Sequence, residues 1–299
     1  MKNVEMLREL YSIHSLSGQE RKMRNYLKQK IRERKATFTQ DFAGNLFITK
    51  GEAETYPCVV AHIDQVQHFH PKDFKTIILD DTIIGWSNKH KKQCGLGADD
   101  KNGIFIALNC LERYDNIKVA FFVGEEIGCV GSSQADLSFF KDCRFIIEPD
   151  RRGNNDLITT MCGVDVCSTN FIDSFDYQKF GYRIADGSVT DVLTLIENGV
   201  GLSCINLSCG YHHPHTDAEV TVLSELENCQ NLVFDIIENC TEVYPFEYID
   251  PWEQYYSRYD NMTDDEYERY LNWYYGAVEE DWESWEDYEK KHRFNKEIV

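Results

Sequence analysis

No apolar run in these 299 residues approaches the roughly 20 needed to cross a bilayer, and the opening segment MKNVEMLRELYSIHS lacks the apolar core of a signal peptide. The expectation is a cytoplasmic protein with no membrane as partner. Basic residues are scarce: 31 Lys and Arg stand against 51 Asp and Glu, a formal charge of −20. That balance excludes a broad basic face for nucleic acid or anionic lipid and leaves small or cationic substrates. CxxC pairs are absent as well. The eleven cysteines are odd in number and scattered in spacing, which excludes a disulfide framework. Cys58, Cys110, Cys204 and Cys240 sit in apolar segments and are expected to pack as small reduced hydrophobes.

The length suffices for a large core, and one main domain is expected. Met6, Leu7, Leu10 and Tyr11 are spaced for one helix, and Met23, Tyr26, Leu27 and Ile31 for a second, with Ser17 and Glu20 of SLSGQE as its capping box. Strand-like runs follow at 46–49, 59–62 and 76–86, the last broken by Asp80-Asp81 into a hairpin. A helix is predicted over 102–111, and further strands over 119–123, 144–147 and 204–207. Helices alternating with buried strands predict an α/β sheet covered on both faces.

Five short motifs occur along this pattern in one order. They are AHID (His62, Asp64), GADDKNG (Asp99, Asp100), GEE (Glu125, Glu126), EPDRRG (Glu148, Asp150) and YHHPHTDAE (His212, His213, His215, Glu219). Each alone is common; the ordered set supplies the oxygen and nitrogen ligands of a two-metal hydrolytic site. Four of them follow apolar runs, so four strand ends would deliver groups to one rim, where open α/β sheets bind their ligands.

A co-catalytic pair of divalent ions needs a bridging carboxylate, further ligands on each side, room for water and a general base beside it. His62 offers an imidazole, and Asp64, on the same side of an extended chain, would orient it. Asp99 and Asp100 are adjacent carboxylates that repel each other unless a cation compensates, and either would serve as the bridge. Glu125 and Glu126 end an apolar strand, a costly place for unpartnered charges. One would ligate while the other moves a proton from water to a leaving amine. Glu148 competes with Asp150 for one ligand role, and His212, His213 and His215 compete for another. His14, His68, His70, His90 and His292 are read as non-ligands, with His68 and His70 expected at the edge of the substrate cleft.

Over roughly residues 5–240 this ordered set resembles the co-catalytic zinc aminopeptidase and carboxypeptidase superfamily, which includes peptidase T, glutamyl aminopeptidases and bacterial leucyl aminopeptidases. The resemblance implies that His62 and Asp150 hold one metal, Glu126 and His215 the other, and that Asp99 bridges them. It makes Glu125 the general base, with Asp64 behind His62. Asp150 is preferred to Glu148 because ArgArgGly follows it, resembling the aspartate-arginine form of the fourth motif; Glu148-Pro149 resembles the form found in related carboxypeptidases. His215 is preferred to its neighbours because Glu219 lies four residues on, as in the HxxxE ending. SLSGQE and GSVTDV (187–192) also match, the latter resembling a turn behind the site.

The resemblance further implies a zinc-peptidase (phosphorylase/hydrolase-like) architecture with a mixed, mostly parallel sheet flanked by helices. It implies two divalent ions, zinc foremost with cobalt or manganese as alternatives, and a small peptide substrate. Aminopeptidase action leads; carboxypeptidase or amide deacylase action of the same superfamily is the alternative. An inactive metal-binding interaction module is the reading from another class, and the retained Glu125, a base and not a ligand, counts against it. Many relatives carry an inserted lid or dimerisation domain, but the gaps from His62 to Asp99 and from Asp150 to His215 are too short for one.

Residues 1–244 are therefore expected to form the catalytic domain, and 245–299 an acidic, aromatic-rich helical extension. In the extension Thr263 and Glu266 make a capping box, Tyr267, Tyr270, Leu271, Tyr274 and Tyr275 share one helical face, and Trp282, Trp285 and Tyr288 follow at three-residue steps. The expectation is a helical hairpin packed on the main domain. A lid, or a homo-oligomer contact through the aromatic stripe, is the alternative.

Overall fold

The computed structural model describes residues 3–249. Two helices, α1 (Val4–Ser12) and α2 (Arg21–Glu33), lead into strands β1 (Thr37–Gln40), β2 (Leu46–Lys50) and β3 (Tyr56–His62). The hairpin β4 (Phe74–Leu79) and β5 (Thr82–Ser87) and the short β6 (Lys92–Cys94) precede helix α3 (Ala98–Arg113). Then come β7 (Ile117–Phe122), α4 (Val130–Ser133), β8 (Cys143–Arg151), β9 (Asp156–Met161) and β10 (Val164–Asp165). Helix α5 (Thr169–Ile172), β11 (Arg183–Gly187), α6 (Asp191–Glu197), β12 (Cys204–Ser208), β13 (Tyr211–His212), β14 (Val220–Val222) and α7 (Leu223–Asn239) complete the order.

The main sheet runs β1-β2-β7-β3-β8-β12-β9-β10, with β11 beside β9. Its central strands β7, β3, β8 and β12 are parallel. Antiparallel pairs flank them on both sides. Every residue of β3 is buried, as a strand covered on both faces requires, and period-two geometry divides its side chains between two cores. Val59 and Ala61 join Leu7, Leu27, Phe105 and Leu232 from α1, α2, α3 and α7. Cys58 and Val60 join Phe140 and, from α6, Val192 and Leu195. The fold class is therefore the α/β sheet covered on both faces that the alternation of elements predicts, mixed and parallel at its centre as the resemblance implies.

A smaller sheet, β13-β14-β5-β4 with β6 beside β5, is built from two distant stretches of chain. The stretch between His62 and Asp99 supplies three strands, and pairing of Val220 with Ile84 brings in the segment that carries the late histidines. Asp80, at φ 53°, turns the hairpin at the predicted place. All eleven cysteines are free, and all but Cys162 are buried. No helix among the described residues is long and apolar enough to cross a membrane.

Two local expectations are corrected. Helix α2 takes Glu20 as its N-cap with no side-chain cap bond. Ser17 instead donates to Asp64 Oδ2 at 2.7 Å, because a buried carboxylate needs donors to offset its lost hydration. The strand expected to stop before EPD runs through it, so Glu148 and Asp150 lie within β8 rather than beyond its end. The aromatic stripe at 267–288 and His292 lie outside the described residues. Pro245 and Phe246 still pair with the main body through Leu202 and Gly201.

Ile147, fully buried at the sheet centre, tests the two-sided core. Ile147→Ala is expected to cost about 2–5 kcal/mol in urea unfolding with an unchanged m-value; a loss below about 1 kcal/mol would contradict close packing there.

Candidate metal centre

His62 ends β3 with its Nε2 at 2.9 Å from Asp99 Oδ1 and 3.7 Å from Asp150 Oδ1. The other oxygen of Asp99 lies 3.1 Å from His215 Nε2, which is in turn 3.0 Å from Glu126 Oε2. Two sets of three donors result, His62–Asp99–Asp150 and Asp99–Glu126–His215, each with its ligand atoms within 4.8 Å of one another and both sharing Asp99. Glu125 stands beside them, its Oε2 4.0 Å from His62 Nε2.

Asp64 fixes much of this arrangement. Its Oδ1 faces His62 Nδ1 at 3.3 Å and accepts the Glu125 amide at 3.1 Å, while Oδ2 accepts the Glu126 amide at 3.3 Å as well as the Ser17 hydroxyl. One buried carboxylate thus sets both the imidazole and the turn that carries the two glutamates.

Asp99 is set from the other side. Glu219, fully buried, accepts the backbone amides of Gly97 at 2.6 Å and Asp99 at 3.3 Å, and Gln67 at 3.2 Å. Gly97 holds a left-handed φ of 63° at the turn into α3. Asp100 turns away from the cluster and accepts the amide of Gly103, where a Cβ would stand only 2.4 Å from the carboxylate. Between the two aspartates, geometry assigns the shared position to Asp99.

A bulge explains why Asp150 and not Glu148 reaches His62. The register of β12 against β8 shifts between Asn206 and Ser208, so β8 carries an extra residue at Glu148–Arg151. Asn206 fills the gap in the ladder, accepting the Asp150 amide and donating to its carbonyl, both at 3.2 Å. Glu148 stays behind the site, accepting Thr190 Oγ1 at 2.6 Å and Asn206 at 3.3 Å. Tyr211 donates to Asp150 Oδ1 at 3.4 Å.

Among the late histidines, His212 is committed to Glu225 at 2.6 Å. His213 is exposed and belongs to neither donor set. His215 holds φ 63°, a conformation unfavourable for a residue with a Cβ, and its ring meets both carboxylates of the second set.

The electrostatics show what this crowd of carboxylates lacks. Burial lifts Glu126 and Asp150 above the usual carboxylate range, with neighbouring acids adding to it. Burial also pushes Glu125 up to about 8, with Asp191, Asp99 and Glu126 reinforcing the shift against the pull of His62. Hydrogen bonds to Asp99 and Glu126 raise His215 to about 10. For His62 burial opposes the charge, but Asp150, Asp64 and Asp99 outweigh it and raise the imidazole. Asp99, between the two imidazoles, is instead held low, so the group as a whole is one that positive charge would stabilise.

Glu126 Oε1 is buried with no hydrogen-bond partner among the described residues. An orphaned carboxylate oxygen, one imidazole and two carboxylates in each set, and a shared aspartate together fit a divalent cation in each set. All these carboxylates and His215 open onto one cavity of about 610 Å³, whose wall includes Arg151, Arg152, Met161 and Val189.

The sequence motifs did not reveal the roles of Ser17, Asn206 and Tyr211. Asn206, a lone amide inside the apolar run CINLS, was the available signal. His68 and His70, expected at the cleft edge, do not line this cavity. His70 stacks instead on His14 and Phe74, with centroids 5.0 and 4.3 Å away.

Neither protein-family models nor curated protein sequences gave a match. Solved structures do. Aminopeptidase PepT from Bacillus cereus ATCC 10987 superposes with a TM-score of 0.64 at 16% identity, over 80% of this chain and 98% of that one. A tripeptidase from Staphylococcus aureus subsp. aureus Mu50 gives 0.60 at 16%, over 79% and 96%. The TET1 peptidase of Pyrococcus horikoshii, which can assemble into a tetrahedron or a large octahedral shell, gives 0.56 at 15%, over 78% and 98%. At such identities the likeness is one of fold: the chain shares the α/β fold of these peptidases, as the resemblance implied.

The misplaced histidine yields a pH test. Burial, with Lys101 and His14 adding repulsion, holds His70 down at about 4. The folded chain keeps it neutral where the unfolded chain takes up a proton, so its contribution to stability is whole above the unfolded value near 6.5 and is lost as pH falls toward 4. An NMR titration should place His70 below about 5, and His70→Phe should flatten the acid limb of stability; a midpoint near the ordinary value would refute this burial.

Proposed function

We propose that this chain is a metal-dependent peptidase that removes residues from the amino end of short peptides. One observation carries the reading: two donor sets sharing Asp99, with Glu125 free beside them, open onto a single cavity in a fold shared with aminopeptidases. His62, Asp99 and Asp150 would hold one divalent cation and Asp99, Glu126 and His215 a second, zinc foremost with cobalt or manganese as alternatives, supplying Lewis acidity and acidified water.

The chain's own groups do the rest. Glu125 belongs to neither donor set, and burial gives its carboxylate a strong affinity for a proton. It accepts one at a carboxylate oxygen and returns it to the leaving amine. Asp64 keeps Nε2 of His62 directed at Asp99 and Asp150 and holds the Glu125 and Glu126 amides, so base and ligands keep fixed spacing. The acidic wall favours a protonated amino terminus. The shell assembly of the TET1 peptidase supports self-association for this chain too, with the segment 245–299 as the candidate contact.

Aminoacyl amides assayed with added zinc, manganese or cobalt test the mechanism. Glu125→Gln is expected to lower kcat by about 10²–10⁴-fold, and equal rates in both proteins would remove it. Metal analysis tests the ligands separately. His215→Ala should lose one of the two ions while His213→Ala and Glu148→Gln keep both; full loading of His215→Ala would reject the assignment.

A further inference from the structure

Arg152 lies two residues beyond the ligand Asp150, and its side chain forms part of the wall of the same cavity. The neighbouring Arg151 is occupied: its Nε lies 3.6 Å from Asp156, whose other oxygen is 3.5 Å from Arg183. Arg152 has no such partner. Among the described residues its guanidinium makes no hydrogen bond or ion pair, although four acidic side chains line the cavity with it.

The backbone beneath Arg152 is clamped. Ser208 Oγ donates to the Arg152 carbonyl at 2.8 Å, the Cys209 amide to the Arg151 carbonyl at 2.8 Å, and the Gly153 amide to the Tyr211 carbonyl at 2.8 Å. Tyr211 also donates to Asp150. The spacing from the metal-binding carboxylate to the Arg152 backbone is therefore set by the same strand pairing that builds the site. Ile158, Met161 and Val189 add an apolar part to the cavity wall; of the other basic groups there, Arg151 faces Asp156 and His215 faces Asp99 and Glu126, which leaves Arg152 as the one without an acidic partner among the described residues.

We infer that Arg152 selects substrates that carry a carboxylate, gripping it with a guanidinium fork while the scissile bond lies at Asp99 and Glu125. This rests on the peptidase reading and deepens it: the substrate class becomes short peptides bearing a free α-carboxylate or an acidic side chain within one cavity length of the cleaved bond. A planar fork suits a carboxylate in a way a lysine ammonium does not, so Arg152→Lys should recover only part of what Arg152→Gln loses.

The test uses the full chain loaded with zinc and three peptides: Ala-Ala-Ala, its C-terminal amide, and the amide of Glu-Ala-Ala. The wild type should favour one carboxylate-bearing peptide over the plain amide by about tenfold or more in kcat/KM, carried mainly by KM. Which of the two is favoured identifies the carboxylate that Arg152 reads. In Arg152→Gln that preference should collapse. A preference that survives the substitution, or a uniform fall for all three peptides, would overturn the inference.

Calorimetric binding of the same peptides to zinc-loaded Glu125→Gln, with and without Arg152→Gln, separates this failure from failure of the peptidase reading. Carboxylate-selective binding without turnover in the wild type would sink the hydrolytic reading and keep the role of Arg152. Turnover without selectivity would do the reverse, and neither selectivity nor turnover would reject both.

Discussion

A buried carboxylate outside both donor sets holds this site together. Asp64 faces His62 and accepts the backbone amides of both Glu125 and Glu126 and the hydroxyl of Ser17. Those contacts join three separate stretches of chain: the loop before α2, the end of β3 and the turn after β7. A charge in that position is costly unless fully solvated by donors, and each donor it recruits is thereby fixed in space. The spacing between the imidazole and the two glutamates follows from how one carboxylate satisfies its own hydrogen-bonding capacity.

Glu219 does the same on the opposite flank, where its two oxygens take the amides of Gly97 and Asp99. The cavity therefore has a buried acid behind each side of the donor sets, and the ligands themselves form few bonds with one another that would survive without positive charge. Raised Glu125, Glu126 and Asp150 and a raised His62 are the signature of that deficit. The apolar cores on the two faces of the sheet supply the stability against which this electrostatic cost is held.

Much of this was legible in the sequence because metal chemistry restricts residue type and order. The motifs supplied the candidates, the family resemblance picked His62, Asp99, Glu126, Asp150 and His215 from them, and the chain brings all five together in two overlapping sets. Local patterning also predicted the two leading helices, the hairpin turned by Asp80 and the buried cysteines. What escaped depended on long-range geometry. Ser17 reads as a helix cap until Asp64 competes for it. ArgArgGly favours Asp150 over Glu148, but the bulge and the Asn206 side chain that hold the two acids apart have no local signature. His68 and His70 lie close to AHID in sequence, but aromatic stacking draws His70 toward α1 and β4.

The small sheet has a consequence for the time at which the site comes into being. His215 lies in the loop between β13 and β14, and β14 is held by β5, more than a hundred residues earlier in the chain. On a ribosome, His62, Asp99, Glu126 and Asp150 all emerge before the segment that completes the second donor set. A growing chain therefore lacks its second donor set until its last third has paired back onto the hairpin, so the order of synthesis also sets the order in which the two sets can form.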